Sequence, residues 1–260
     1  MNIKLLVLIT FCAALSAFKL EKHIFRFPGT SPVVKNFFVD EAEVTNLDWK
    51  EYISYLSTTH GADSPVYLNS IPDSTVWYEE GKYLDPYAVT YFRHPAFNAY
   101  PVVGISHDQA IAYCKWRTAR VEEHLKSNGV EVPNFTYRLP TQTEWELIAS
   151  AGYSKKTRKH LNKRERKKSY PGILRAYNMK YEGAKINDFT TVPSRTFPSN
   201  KYMVYHIYGN VAEMVAEPNI SMGGSYRDLY KDIVLANKEI QYDGPQNWLG
   251  FRCVVEVYDN

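Results

Sequence analysis

The chain has 260 residues, of which 45% are hydrophobic and 23% charged, and it carries a formal charge of +3. That balance excludes a wholly disordered chain and leaves room for one large domain or two small ones with a real core. The charge is uneven, because residues 155–168 hold nine of the 31 Lys and Arg and only one of the 28 Asp and Glu, leaving a mildly acidic remainder. Such a tract reads first as a solvated loop. Its functional alternative is a contact with an anionic partner, and nothing in the pattern specifies a nucleic acid.

At the N-terminus, Lys4 precedes the apolar run Leu5 to Ala17, which closes on the small residues Ala14-Leu15-Ser16. The run is shorter than the roughly 20 residues needed to span a bilayer, so residues 1–17 read as an export signal. A membrane anchor and a lipidated Cys12 stand as alternatives, although Phe11 is bulky where lipoprotein signals want a small residue. With the signal removed, Cys114 and Cys253 remain. An even count in an oxidising compartment suggests one disulfide, and two unrelated buried thiols are the other reading.

Residues 18–32 form a lead-in, and Val33 to Val39 has the composition of a strand. Thr45 and Asp48 then cap a helix whose Trp49, Tyr52, Ile53 and Leu56 share one face. From Gly61 to Pro101 no period is sustained, and five prolines predict loop with short strands and a possible aromatic contact surface. Ser106 and Gln109 cap a second helix with Ala110, Tyr113, Cys114, Val121 and Leu125 inward. Thr141 and Glu144 cap a third with Trp145, Ile148 and Ala149 inward and Gly152 as its stop. The basic loop, residues 153–169, and short strands follow. This pattern predicts an α+β domain of low regular content over residues 33–260, and neither a GxxxxGK[ST] nor a GxGxxG is present.

Six of these stretches also resemble, in order, the formylglycine-generating (sulfatase-modifying factor) family. They are Phe37 to Asn46, Pro101 to Trp116, Tyr137 to Glu146 (YRLPTQTEWE, similar to "RLPTEAEWE"), Tyr170-Pro171-Gly172, Gly209 to Glu213 (GNVAE), and Met222 to Arg227 together with Gly250 to Cys253 (GFRC). The resemblance implies an irregular α+β fold with a C-type-lectin-like core, and a disulfide between Cys114 and Cys253. It also implies copper held between two cysteines just after the "GGS" strand. Gly224 to Lys238 contains no cysteine, and Asp228 and Ile233 fall where that pair would be, so neither a copper site nor a catalytic residue is expected.

Structural Ca²⁺ is a further implication. One site would use Gly209, Val211 and Glu213, with His206 at a fourth place that an oxygen ligand would fill better. A second would use Asn178, Met179 and Asp188. The scattered histidines form no HExxH or HxxxHxE; His94 and His107 flank the end of the proline-rich segment as a candidate metal pair, and Glu213 and Glu217 fall one turn apart in a helix, but structural or solvated roles are the default for both pairs.

Tyr91 to Arg120 is similar to gliding-motility and type IX secretion lipoproteins of this family, which lack the catalytic cysteines. The expected function is therefore a non-catalytic scaffold or interaction component with protein partners in a cell envelope, periplasmic, outer-membrane-associated or secreted. A metal-dependent oxidoreductase and a lectin-like ligand-binding domain are the alternatives.

Overall fold

A computed structural model describes residues 27–78, 84–131, 133–157, 159, 177–180, 190–233 and 238–258. The proposed signal segment, Asp188 and most of the basic loop lie outside them.

The chain opens on an antiparallel hairpin, β1 (Thr30–Val34) and β2 (Phe37–Asp40). The expected single strand Val33 to Val39 is thus two strands, and the end of the expected lead-in belongs to the first. The run breaks at Lys35-Asn36, where Asn36 takes φ 63°, a left-handed turn that Asn tolerates better than most residues. Helix α1 (Asn46–His60) follows, its N-terminus closed by reciprocal bonds between Thr45 and Asp48.

Between Gly61 and Pro101 the expected short strands are absent among the described residues. The prolines instead start single turns: α2 (Pro65–Leu68), α3 (Asp85–Thr90) and a 3₁₀ turn at Pro95–Phe97, with a further 3₁₀ turn at Ser74–Trp77. Much of the aromatic content here faces inward: Trp77 and Tyr91 are buried, with ring centroids 4.7 Å apart, and Tyr87, Phe97 and Tyr100 pack around them. Tyr78, Val66, Leu68 and Val89 stay exposed.

Helix α4 (His107–Ser127) is capped by Ser106 and Gln109, and α5 (Gln142–Ser150) by Thr141 and Glu144. The predicted inward residues of both are buried, apart from the half-buried Val121, and Gly152 takes φ 57° just after α5, as a helix stop requires.

Two four-stranded sheets complete the fold. The first has the order β1-β2-β8-β3, with β3 (Asn134–Arg138) and β8 (Val254–Tyr258) antiparallel, so the last strand lies between β2 and β3. The second has the order β6-β5-β4-β7, built from β4 (Ala212–Met214), β5 (Ile220–Met222), β6 (Ile240–Gln241) and β7 (Leu249–Gly250). The main core lies where α1 and α4 meet the first sheet: Trp49 stacks on Tyr113 at 5.4 Å, and both set Phe251 against their edges. Among the described residues no helix is long and apolar enough to cross a membrane.

Candidate functional site

Asp228 and Ile233, which stand where the resemblance puts copper-binding cysteines, sit beside a hollow of about 500 Å³ around the short helix α6 (Tyr230–Ile233). Asp228 is held by its own turn: one carboxylate oxygen accepts from the Ser225 amide at 2.8 Å and the Ser225 hydroxyl at 2.7 Å. Ile233 is buried, and its Cγ atoms together with the Met179 Cε methyl leave no room for a side chain on Gly224. A carboxylate tied into a turn and a branched alkyl group are not the soft donors Cu(I) takes, so these residues do not fit copper.

A second concentration of chemistry lies around the segment Gly209 to Glu213, a bend that leads into β4. Glu213 and Arg252 are both fully buried. The guanidinium donates from Nε at 2.7 Å and Nη2 at 2.5 Å to the two Glu213 oxygens, and Trp145 Nε1 donates to one of them at 2.8 Å. Arg252 also donates to the Asp40 and Tyr205 carbonyls, which knits the segment before β8 to the end of β2 and to the 200s loop. Burial alone would lower the guanidinium pKa, but the Glu213 charge and bonds outweigh it, and the net shift is upward.

Glu43 lies close by with 1% exposure. One oxygen accepts from Asn210 Nδ2 at 3.0 Å, and the other has no partner. Burial, reinforced by the Glu213 charge and only partly offset by Arg252, pushes its carboxyl up to about 8. His206 is buried at φ 47° with its ring edge against Phe197, and neither ring nitrogen has a hydrogen bond of ordinary geometry. Burial and the Arg252 charge hold it down to about 3, the Pro193 carbonyl opposing weakly, so it is neutral at physiological pH.

The first calcium set does not fit this arrangement. Both Glu213 oxygens already serve Arg252 and Trp145, a full positive charge sits against them, and His206 offers nitrogen where Ca²⁺ takes oxygen. Gly209 has a packing reason of its own: at φ 77° a side chain would meet the Tyr177 carbonyl at 1.5 Å, while Val211 is simply core. In the second set, the Asn178 amide donates to the Thr190 carbonyl and to Asn210 Oδ1, and Met179 buries its side chain among aromatic rings; Asp188 lies outside the described residues. Among the described residues no group of three or more His, Cys, Asp or Glu is arranged to hold a metal ion.

Cys114 on α4 and Cys253 before β8 do meet. Their sulfur atoms are 3.5 Å apart, both buried, and both are thiols in this structure; a disulfide, at about 2.05 Å, requires the pair to close. The other sequence candidates separate. His94 caps a 3₁₀ turn and His107 Nε2 bonds the Val215 carbonyl. Glu213 is on a strand, and Glu217 accepts from the Gln142 amide at the start of α5.

Sequence reading missed the buried roles of Glu43 and Arg252. The available signal was each residue's setting, an acid and a base inside apolar motifs (AEVTN and GFRC) where a lone charge would be costly unless paired.

The fold and this buried network define an irregular α+β domain of low regular content, held by polar bonds between its loops. The sequence matches the "Sulfatase-modifying factor enzyme 1-like domain" family over residues 13–257, and the chain belongs to that family. It is 22% identical to the formylglycine-generating enzyme of Mus musculus, covering 88% of this chain and 68% of that protein. It is 26% identical to the inactive C-alpha-formylglycine-generating enzyme 2 of Bos taurus, covering 86% and 80%. A serine/threonine-protein kinase pkn1 of Chlamydia pneumoniae is 25% identical over 88% of this chain, which spans only 34% of that protein. Among solved structures, CarF superposes with a TM-score of 0.51 at 18% identity, covering 86% of this chain and 87% of that one. Treponema denticola variable protein 1 does so with 0.50 at 18%, covering 85% and 84%. At these identities the structures speak for the fold alone.

Proposed function

We propose that this chain is a non-catalytic member of its family, exported to the cell envelope, where it holds protein partners in an assembly instead of oxidising a substrate cysteine. One observation carries this reading: the two positions matching the family's copper-binding cysteines are Asp228, spent on the Ser225 turn, and Ile233, buried in the core. The likeness to a relative named as inactive supports it, and the similarity of Tyr91 to Arg120 to gliding and type IX secretion lipoproteins suggests the kind of assembly. The basic stretch 155–168 would then be an anionic contact, weakening as salt rises. In such an oxidising compartment Cys114 and Cys253 would close into a disulfide, leaving the exported protein two hydrogens lighter by mass spectrometry than its reduced form.

The test is to incubate purified protein, loaded with Cu(I), with a cysteine-containing peptide and oxygen and to assay for aldehyde. No aldehyde above a protein-free control is the expected result. Stoichiometric formylglycine would overturn the proposal.

A further inference from the structure

Asn128 and Gly129 form the one Asn-Gly pair in the chain, and both are exposed just beyond α4. Such a pair carries a chemistry of its own. The backbone nitrogen that follows an Asn can attack the side-chain carbonyl carbon and close a five-membered ring, and glycine, which has no Cβ, leaves that nitrogen open to approach. Whether the ring closes is decided by the geometry of the helix end.

That end is fastened shut. Gly129 takes φ 68°, its N–H donates to the Lys126 carbonyl at 3.0 Å, and the Val130 N–H donates to the Leu125 carbonyl at 3.1 Å. These two bonds are a Schellman cap, and they tie the turn to Leu125, a residue of the main core. The Asn128 side-chain amide is committed as well, donating to the His124 carbonyl at 2.7 Å. Its ψ of 8° turns the Gly129 nitrogen away from the side chain. Ring closure needs that nitrogen to eclipse the Cα–Cβ bond, at ψ near about −120°, a region L-residues seldom occupy. The closed cap therefore forbids the reaction, and an opened one permits it.

We propose that Asn128 is a site of spontaneous deamidation, gated by fraying of the cap at the end of α4. Helix ends open locally far more often than the domain unfolds. In the opened turn the Gly129 nitrogen gives its proton to water and bonds to Asn128 Cγ, while the side-chain nitrogen takes a proton from water and leaves as ammonia. Water then opens the succinimide at one carbonyl to give aspartate or at the other to give isoaspartate. The net change is one water consumed and one ammonia released, with no oxidation. Either product sets a carboxylate at the negative end of the α4 dipole. In isoaspartate the main chain is also one carbon longer, so the Gly129 and Val130 N–H groups no longer fall opposite their two carbonyls, and the tie to Leu125 is lost. The inference is independent of the partner-holding role and draws nothing from the hollow beside Asp228.

The purified full chain, incubated at mildly alkaline pH both folded and unfolded in guanidinium chloride, tests this by mass spectrometry of its tryptic peptide Ser127–Arg138. That peptide also carries Asn134, followed by Phe135, as an internal reference. Conversion is expected at Asn128 and not at Asn134, and about tenfold more slowly in the folded chain than in the unfolded one, as follows for a cap closed about nine-tenths of the time. Val130→Ser, at an exposed position, weakens the apolar side of the cap and should raise the folded-state rate several-fold. Equal rates in the folded and unfolded chains overturn the proposal. So does a folded chain that stays unconverted at Asn128 while the unfolded one reacts fully, and so does an unchanged rate in Val130→Ser.

Discussion

In the hollow beside Asp228 and Ile233, the acid folds back onto the Ser225 amide and hydroxyl, and Ile233 is core, so these two residues have spent their chemistry on the local conformation. In a second cavity, of about 640 Å³ between the β2–α1 junction, α4 and residues 193–196, the lining acids Asp40 and Glu43 each keep an oxygen unmatched even though they are more deeply buried than most charged side chains ever are. The two hollows belong to one domain and are of similar size, yet among the described residues only the second is lined by residues with buried side-chain atoms that lack a hydrogen-bond partner. The difference teaches that the place where family resemblance directs attention and the place where free energy is left uncommitted need not coincide. The Glu213–Arg252 pair satisfies one buried acid completely, while the Arg252 charge offsets only part of the cost of burying its neighbour Glu43.

Substitutions can break or sharpen this contrast. Removing the shared cation has the largest expected effect: Arg252→Met strands the Glu213 charge and frees the Asp40 and Tyr205 carbonyls, which should cost about 3–5 kcal/mol in denaturant unfolding. The pH dependence of stability follows. A carboxyl raised in the folded state from 4.5 to about 8 favours folding at low pH, and its contribution fades as pH rises between those values. His206, lowered from 6.5 to about 3, acts in the opposite sense: its neutral burial favours folding above about pH 6.5 and is lost as pH falls toward about 3. Thermal melts across pH should therefore show Glu43→Gln flattening the alkaline decline and His206→Asn flattening the acid one, Asn being compatible with the φ of 47° there.

A smaller loss, about 1–2 kcal/mol, is expected for Asp228→Ala, which unties the Ser225 turn. The smallest change is Thr45→Ala on the cavity rim, which removes an N-cap and should cost about 1 kcal/mol by chemical denaturation.

Much of the scaffold could be read from neighbours in sequence. The three capping boxes at Thr45, Ser106 and Thr141, and the buried faces that follow them, are local patterns at helical spacing, and all three appear as read. The hairpin turn escaped because Lys35-Asn36 interrupts an otherwise apolar run, and only the left-handed tolerance of Asn hints at the break. The cluster beneath the sites was illegible for a different reason: Asn210 reaches Glu43 across 167 residues and Arg252 reaches Glu213 across 39, distances over which periodicity says nothing. Family motifs delivered the right segments there, but they pointed to calcium at Glu213, whereas the carboxylate is matched by a guanidinium.

The placement of β8 between β2 and β3 bears on how such a chain comes to exist in a cell. The Cys253 amide donates to the Asp40 carboxylate 213 residues upstream, and β2 pairs with β8 along Phe37 to Val39. While the polypeptide emerges from a ribosome, the first hairpin therefore lacks its inner neighbour until residues 254–258 have been delivered. A chain built this way cannot join its first hairpin to β3 before β8 arrives, which leaves the pairing edge of β2 open through most of the domain's synthesis.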